Sequence, residues 1–257
     1  MLHSSSKGNS AYLKYGKDEI LIDCGVSARS IESSLNQIGT SLKNISAIFI
    51  THEHSDHIKG LHTITKNFEM PIFAPYNSCD YIAEHIYPET QLLSLKTGDV
   101  IELCDLAICP IPTPHDARGS FGFRIRAGEE KIGYFTDIGH LSEGILRGLS
   151  GCRRVVIESN HDISMLKDGP YPYHLKQRIL GAMGHLSNSL CAKLLPHLAK
   201  FGTESFLLAH LSEENNRPDL AYRESFQSLV ENGFEVNSIE NSLRLRVAPP
   251  NGVLELV

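Results

Sequence analysis

The 257-residue chain contains no apolar run of membrane-spanning length, and its first ten residues, MLHSSSKGNS, form no apolar signal segment. Both absences lead to the expectation of a cytoplasmic protein that does not enter a membrane. Cysteine is sparse, and the six that occur (Cys24, Cys79, Cys104, Cys109, Cys152, Cys191) include no CxxC pair. That spacing argues against a disulfide framework and a cysteine-built zinc site, and the six are expected as small core residues. Positive charge is in deficit, with 24 Lys and Arg against 30 Asp and Glu, a net charge of −6. Such a balance does not suit a protein that coats nucleic acid by bulk electrostatics, although it leaves room for a locally positive cleft. Repeats, low-complexity tracts and linkers are also missing. A single domain over residues 1–257 is therefore expected.

Histidine, by contrast, is abundant: there are thirteen. Four metal-ligand candidates, His52, His54, Asp56 and His57, fall within the seven residues THEHSDH, directly after the apolar run ISAIFI. The run reads as a strand, which puts the cluster at its C-terminal end, where α/β folds commonly place functional loops. Neutral imidazoles and carboxylates suit zinc, manganese or iron, and the mixed donor set does not choose among them. The plain alternative is a surface loop that happens to be rich in histidine. It would prevail for an isolated histidine, but four ligand types at this spacing after a strand weigh against it.

Short apolar runs alternate with amphipathic stretches along the whole chain. EILIDCG, ISAIFITH, DVIELCD, GSFGFRIRAG, KIGYFTD, RRVVIE and SFLLAHL read as strands, with a GEE turn between the fourth and fifth. Helices are expected over SARSIESSLNQIG, with Ser27 as N-cap and Gly39 past the end, and near 174–181, 188–199 and 219–232. Three further strand ends deliver candidate ligands: His115 after ICPIPTP, Asp137 after KIGYFT, and His210 after SFLLA. Each alone would more often be structural. Their recurrence after the first cluster carries the weight.

HEHSDH has the HxHxDH form of the metallo-β-lactamase fold, and the order His115, Asp137, His210 resembles that fold's later motifs. No cysteine stands at a ligand position, which argues against a lactamase. Asp23 in LIDCG resembles the fold's early aspartate, which braces the metal loop. SSSKGNSAYL, PHDA, FTDIGH, VIESNHD, YPYHLKQRILGAMGHLSN and LAHLSEENN together resemble the YycJ/WalJ branch, related to PhnP-type phosphodiesterases, tRNase Z and RNase J. In such relatives an apolar strand precedes the Gly/Ser-rich turn. With Met1–His3 before the turn here, a short or truncated first strand is expected.

The resemblance implies an αββα sandwich, with two mixed sheets face to face, helices outside and the metal site at one edge. It assigns His52, His54 and His115 to one ion, and Asp56, His57 and His210 to a second, with Asp137 bridging. Two divalent transition metals, manganese or zinc or iron, would activate water and clamp an in-line phosphoryl displacement, with Asp56 orienting the attacking hydroxide. GHLSN, before the helix at 188, resembles the Gly-His-Ser-Thr loop of tRNase Z. His185 there is a candidate catalytic residue, and His185, Ser187 and Asn188 are candidate substrate contacts. Glu158 and His161 resemble the motif that partners that loop, in a catalytic or supporting role. His140 and Asp116 are expected to support the ligands.

Three functions follow. The first is a nuclease, by resemblance a 5′-to-3′ exonuclease on double-stranded DNA, monomeric or dimeric. The second is a small-molecule phosphodiesterase of the PhnP kind, and the third is a non-catalytic regulatory protein on the same fold. Lys167, Lys176, Arg178, Arg153 and Arg154 could form a phosphate-tracking rim that favours the polymer. The complete ligand set argues against the regulatory reading.

Overall fold

The computed structural model describes residues 1–88, 90–238 and 242–255, which divide into two compact units. The first comprises Met1–Pro110, Ala117–Phe121 and Pro249–Glu255, the second Ile111–Asp116 and Gly122–Ala248.

The first unit holds a mixed sheet of six strands in sequential order. These are β1 (His3–Ser5), β2 (Gly8–Tyr15), β3 (Asp18–Ile22), β4 (Ala47–Phe49), β5 (Ile72–Pro75) and β6 (Leu92–Leu95). The first three run antiparallel and the rest parallel. Parallel strands covered on both faces read as continuous apolar runs, and accordingly β3 and β4 are buried along their full length. Leu21, Ile48 and Ile72 of the sheet pack in one core with Ile31, Leu35, Leu61 and Ile64 of helices Ala28–Gln37 and Leu61–Asn67. The helix Ala28–Gln37 is capped as expected. Ser27 Oγ accepts from Ser30 N, and Gly39 adopts φ +78° just past the end. The short first strand, three residues long, also matches the expectation.

The DVIELCD strand shrinks to β7 (Ile101–Glu102), which pairs antiparallel with β8 (Leu106–Pro112). Asp18 Oδ2 explains the difference: it accepts from the backbone N–H groups of Asp105 and Leu106, at 2.6 and 3.1 Å, and holds the chain in a tight turn.

In the second unit the strand order is β13 (Arg244–Val247), β12 (Ser205–Ala209), β11 (Arg154–Glu158), β10 (Glu130–Phe135), β9 (Phe121–Ala127). β9 and β10 form the expected hairpin, and the other pairs are parallel. Phe135, Ile157, Phe206 and Leu208 pack with Ile145, Leu149, Leu195 and Leu229 from the helices Glu143–Leu149, Asn188–Lys200 and Pro218–Glu231. Pro196 lies inside the second of these helices and lacks the N–H that would bond Ala192 O. Ser228 Oγ donates to that carbonyl instead, at 2.7 Å.

Cys24, Cys152 and Cys191 are buried, as expected, whereas Cys104 is exposed beside the β7–β8 turn. Among the described residues, no helix is long and apolar enough to cross a membrane.

Candidate metal centre

In the first unit, β4 runs straight into the histidine loop. His52 and His57 are fully buried, and their ring centroids lie 4.1 Å apart, with His54 4.5 Å from His52. Asp23, at the end of the neighbouring β3, anchors His57 and the strand end at Thr51. It accepts from Thr51 N (2.8 Å), Thr51 Oγ1 (2.9 Å) and His57 Nδ1 (2.8 Å). Burial pushes the Asp23 carboxyl up, against the pull of His57. With Nδ1 committed to a carboxylate, Nε2 is the atom that His57 offers to a metal, an arrangement that orients ligating histidines generally. Asp56 Oδ2 lies 3.4 Å from that Nε2.

Three contributors to this half carry no chemical signature of their own in the sequence. Asn9, buried on β2, places its amide nitrogen 3.3 Å from His57 Nε2 and 3.4 Å from Asp56 Oδ2. Thr51 bridges Asp23 to the histidines. Glu53 braces the loop from beneath by accepting from Arg118 N and Ser78 Oγ, both at 2.7 Å.

In the second unit, Asp137, Glu158, His185 and His210 each offer a ligand atom, all within 4.8 Å of one another. Glu158 is fully buried at the end of β11. Its Oε1 accepts from His185 Nδ1 (2.8 Å) and His210 Nδ1 (2.7 Å), and its Oε2 from the N–H groups of Ile138 and Leu186. Burial alone would push this carboxyl up, but the His185 and His210 rings outweigh it and hold it well below the usual carboxylate range. His115 Nδ1 donates to Gly184 O at 3.1 Å, which turns its Nε2 toward Asp137 Oδ1 at 3.6 Å. Burial lowers the pKa of His115, against the pull of Asp137, which favours the neutral ring that a ligand requires. His161 is buried in the same way, its pKa pushed down to about 4, and its carbonyl accepts from Asn188 N.

Asp23, Asp137 and His210 share a backbone peculiarity: φ of +62°, +57° and +57°. For residues with a Cβ this left-handed conformation costs roughly 1–2 kcal/mol each. Such strain gathers where a side chain must be aimed.

Other expected residues serve the fold. Ser187 caps the helix Asn188–Lys200 by accepting from Leu190 N. Asn188 is buried, accepts from Ser159 Oγ at 2.7 Å and exchanges hydrogen bonds with Asn216. These bonds give both side chains partners within the fold. Arg153 and Arg154 stand at the start of β11, the opposite end from Glu158, paired with Glu130 and Glu204, so neither forms a rim. Asp116, by contrast, lies at the ligands, its Oδ1 3.4 Å from His115 Nε2, and pairs with Arg178; His140 donates to Ala182 O from an exposed position.

The donor set fits a divalent metal: imidazoles with Nδ1 anchored by Asp23, Glu158 or a backbone carbonyl, next to carboxylates. Residues 18–211 match the family described as "Beta-lactamase superfamily domain". The chain belongs to the metallo-β-lactamase superfamily, and it is a hydrolase of that class. It is 33% identical to the exodeoxyribonuclease YycJ of Bacillus anthracis, over 92% of this chain and 90% of that protein. It is also 32% identical to the exodeoxyribonuclease WalJ of Streptococcus pneumoniae serotype 2, over 90% of this chain and 87% of that protein. Among solved structures, the metallo-β-lactamase fold protein YhfI from Bacillus subtilis superposes with a TM-score of 0.69 at 13% identity, covering 98% of this chain and 92% of that one. The fold is thus the αββα class expected, with two mixed sheets and flanking helices.

Proposed function

We propose that this hydrolase is a metal-dependent nuclease, a 5′-to-3′ exonuclease acting on double-stranded DNA. Support for nucleic acid comes from the two exodeoxyribonuclease relatives, each matched over about nine-tenths of the chain. The observation that carries the chemistry is the Glu158 carboxylate, which binds His185 and His210 through one oxygen. It locks one ring as a metal ligand and a second, 18% exposed at its side chain, as a group that can meet substrate.

By resemblance, His52, His54 and His115 would hold one ion and Asp56, His57 and His210 a second, with Asp137 shared between them. Such ions supply Lewis-acid stabilisation of phosphoryl oxygens and make water nucleophilic at neutral pH. The chain's own residues do the rest. Asp56 orients the attacking water. His185, its Nδ1 fixed by Glu158, presents Nε2 to the scissile phosphate or protonates the leaving oxygen there.

The test is incubation of metal-reconstituted protein with end-labelled single- and double-stranded DNA and RNA, with bis(4-nitrophenyl) phosphate alongside. Mononucleotides released first from the 5′ end of duplex DNA are the expected result. Turnover of bis(4-nitrophenyl) phosphate with no cleavage of any polymer would replace this reading with a small-molecule phosphodiesterase.

A further inference from the structure

Asn9 lies on β2, 1% exposed, and its side-chain nitrogen has more acceptors around it than hydrogens to give. Nδ2 is 2.9 Å from Ser5 O, 3.4 Å from Asp56 O, 3.4 Å from Asp56 Oδ2 and 3.3 Å from His57 Nε2. A side-chain amide carries two N–H bonds. Ser5 O and Asp56 O only accept, so it is the nitrogen, not Oδ1, that faces this cluster. The bond to Ser5 O is the shortest and takes one hydrogen. The other is divided among the two Asp56 oxygens and His57 Nε2.

The tautomer of His57 decides what that second hydrogen meets. Nδ1 of the ring donates to Asp23 Oδ2 at 2.8 Å, which leaves Nε2 with its lone pair. The same lone pair is what His57 offers to a metal, and it serves one partner at a time. Ligation at Nε2 therefore displaces the Asn9 hydrogen, and Asp56 Oδ2 is the acceptor already in reach. A turn of the side-chain amide is enough. The backbone stays where it is, held by Gly25 N, which donates to Asn9 O at 2.8 Å.

We propose that Asn9 is a positioning residue for Asp56. Its second N–H rests on His57 Nε2 until that nitrogen is ligated, then passes to Asp56 Oδ2 and fixes the carboxylate that orients the attacking water. This rests on the metal-dependent reading above and deepens it, because it assigns the aim of Asp56 to a residue on another strand. Asn9, being neutral, steers that carboxylate without adding a charge to the centre.

Asn9→Leu keeps the branched shape of the side chain and removes the donor. It deletes one hydrogen bond on each side of the metal-binding equilibrium: a buried one to His57, or one to the partly exposed Asp56 carboxylate. The two losses offset, so the metal Kd should stay within about threefold of the wild type. Turnover of whichever phosphodiester the wild type cleaves should fall about 10²-fold in kcat at saturating metal, the cost of misplacing an orienting group. Asn9→Ala, which adds no bulk, gives the same reading should leucine fail to fold. In wild-type protein labelled with ¹⁵N-asparagine, the Asn9 side-chain amide resonance, identified by its loss in the variant, should shift as zinc is added. A Kd that weakens in step with kcat would make Asn9 a brace of the ligand loop and overturn the proposal. So would an unchanged kcat, or an amide resonance that zinc does not move. Wild-type protein that binds no metal would remove the metal-dependent reading itself, and this proposal with it.

Discussion

His185 and His210 donate to the same oxygen, Glu158 Oε1, yet their tasks differ. His210 is 1% exposed and belongs to the proposed ligand set, whereas His185 reaches solvent. Removing His185 should therefore lower kcat by about 10²–10⁴-fold, the usual contribution of general acid catalysis, with metal content unchanged. Elemental analysis beside steady-state kinetics checks this, and near-wild-type turnover of metal-replete His185→Ala would leave the ring an ordinary loop histidine. Asp137→Ala should behave oppositely. Its carboxylate lies 3.5 and 3.6 Å from nitrogens of His210 and His115 and is proposed to serve both ions. Its loss should abolish activity and lower bound metal in a folded protein. Unchanged stoichiometry would contradict the shared role.

At the scale of elements, the metal loop is held by backbone rather than by side chains alone. Cys24 N donates to His57 O and Gly60 N to Cys24 O, both at 2.7 Å, and Gly25 N donates to Asn9 O. The segment after β3 thus runs directly against the short helix Ser55–Ile58. A Cβ on Gly25 would fall 1.6 Å from Asp56 O and 2.6 Å from Asn9 N, both backbone atoms that cannot step aside. Gly25→Ala should cost about 1–3 kcal/mol or more in stability by overpacking. It should also weaken metal binding by pushing Asp56 and His57 out of place. Denaturant unfolding and metal titration of the variant read the two effects separately. Gly39→Ala makes the comparison: nothing lies within 4 Å of its Cβ position, so its φ of +78° is the main source of cost.

For the whole molecule, the family match over residues 18–211 runs through segments of both units, and the chain passes between them several times. We propose that the two units unfold together as one domain. Calorimetry should then show a single transition. Ligand linkage makes bound metal a stabiliser: at about a thousand times Kd it contributes ~4 kcal/mol. For a chain of this size that corresponds to roughly 8–16 °C in Tm. Chelation with EDTA should lower Tm by that order, and equal Tm values with and without metal would argue against a metal centre linked to folding.

The histidine loop, its strand and the cap at Ser27 were legible from the residues because their causes are local. Ligand spacing, apolar period and capping hydroxyls all act within a few positions. The same holds for the strand ends at Asp137 and His210, where an apolar run stops at a polar residue. What only the tertiary structure decided is which polar groups meet. Glu158 lies 27 and 52 residues from the two histidines it orients, and Asn9 lies 48 from His57. Asn188 reads from the sequence as a residue at a helix start, and its bonds to Ser159 and Asn216 appear only in the folded chain. Arg153 and Arg154 looked like a basic rim until strand direction put them at the far end from Glu158. Such pairings depend on the register and direction of parallel strands joined by long crossovers. No local period in the sequence encodes which strand ends will lie side by side.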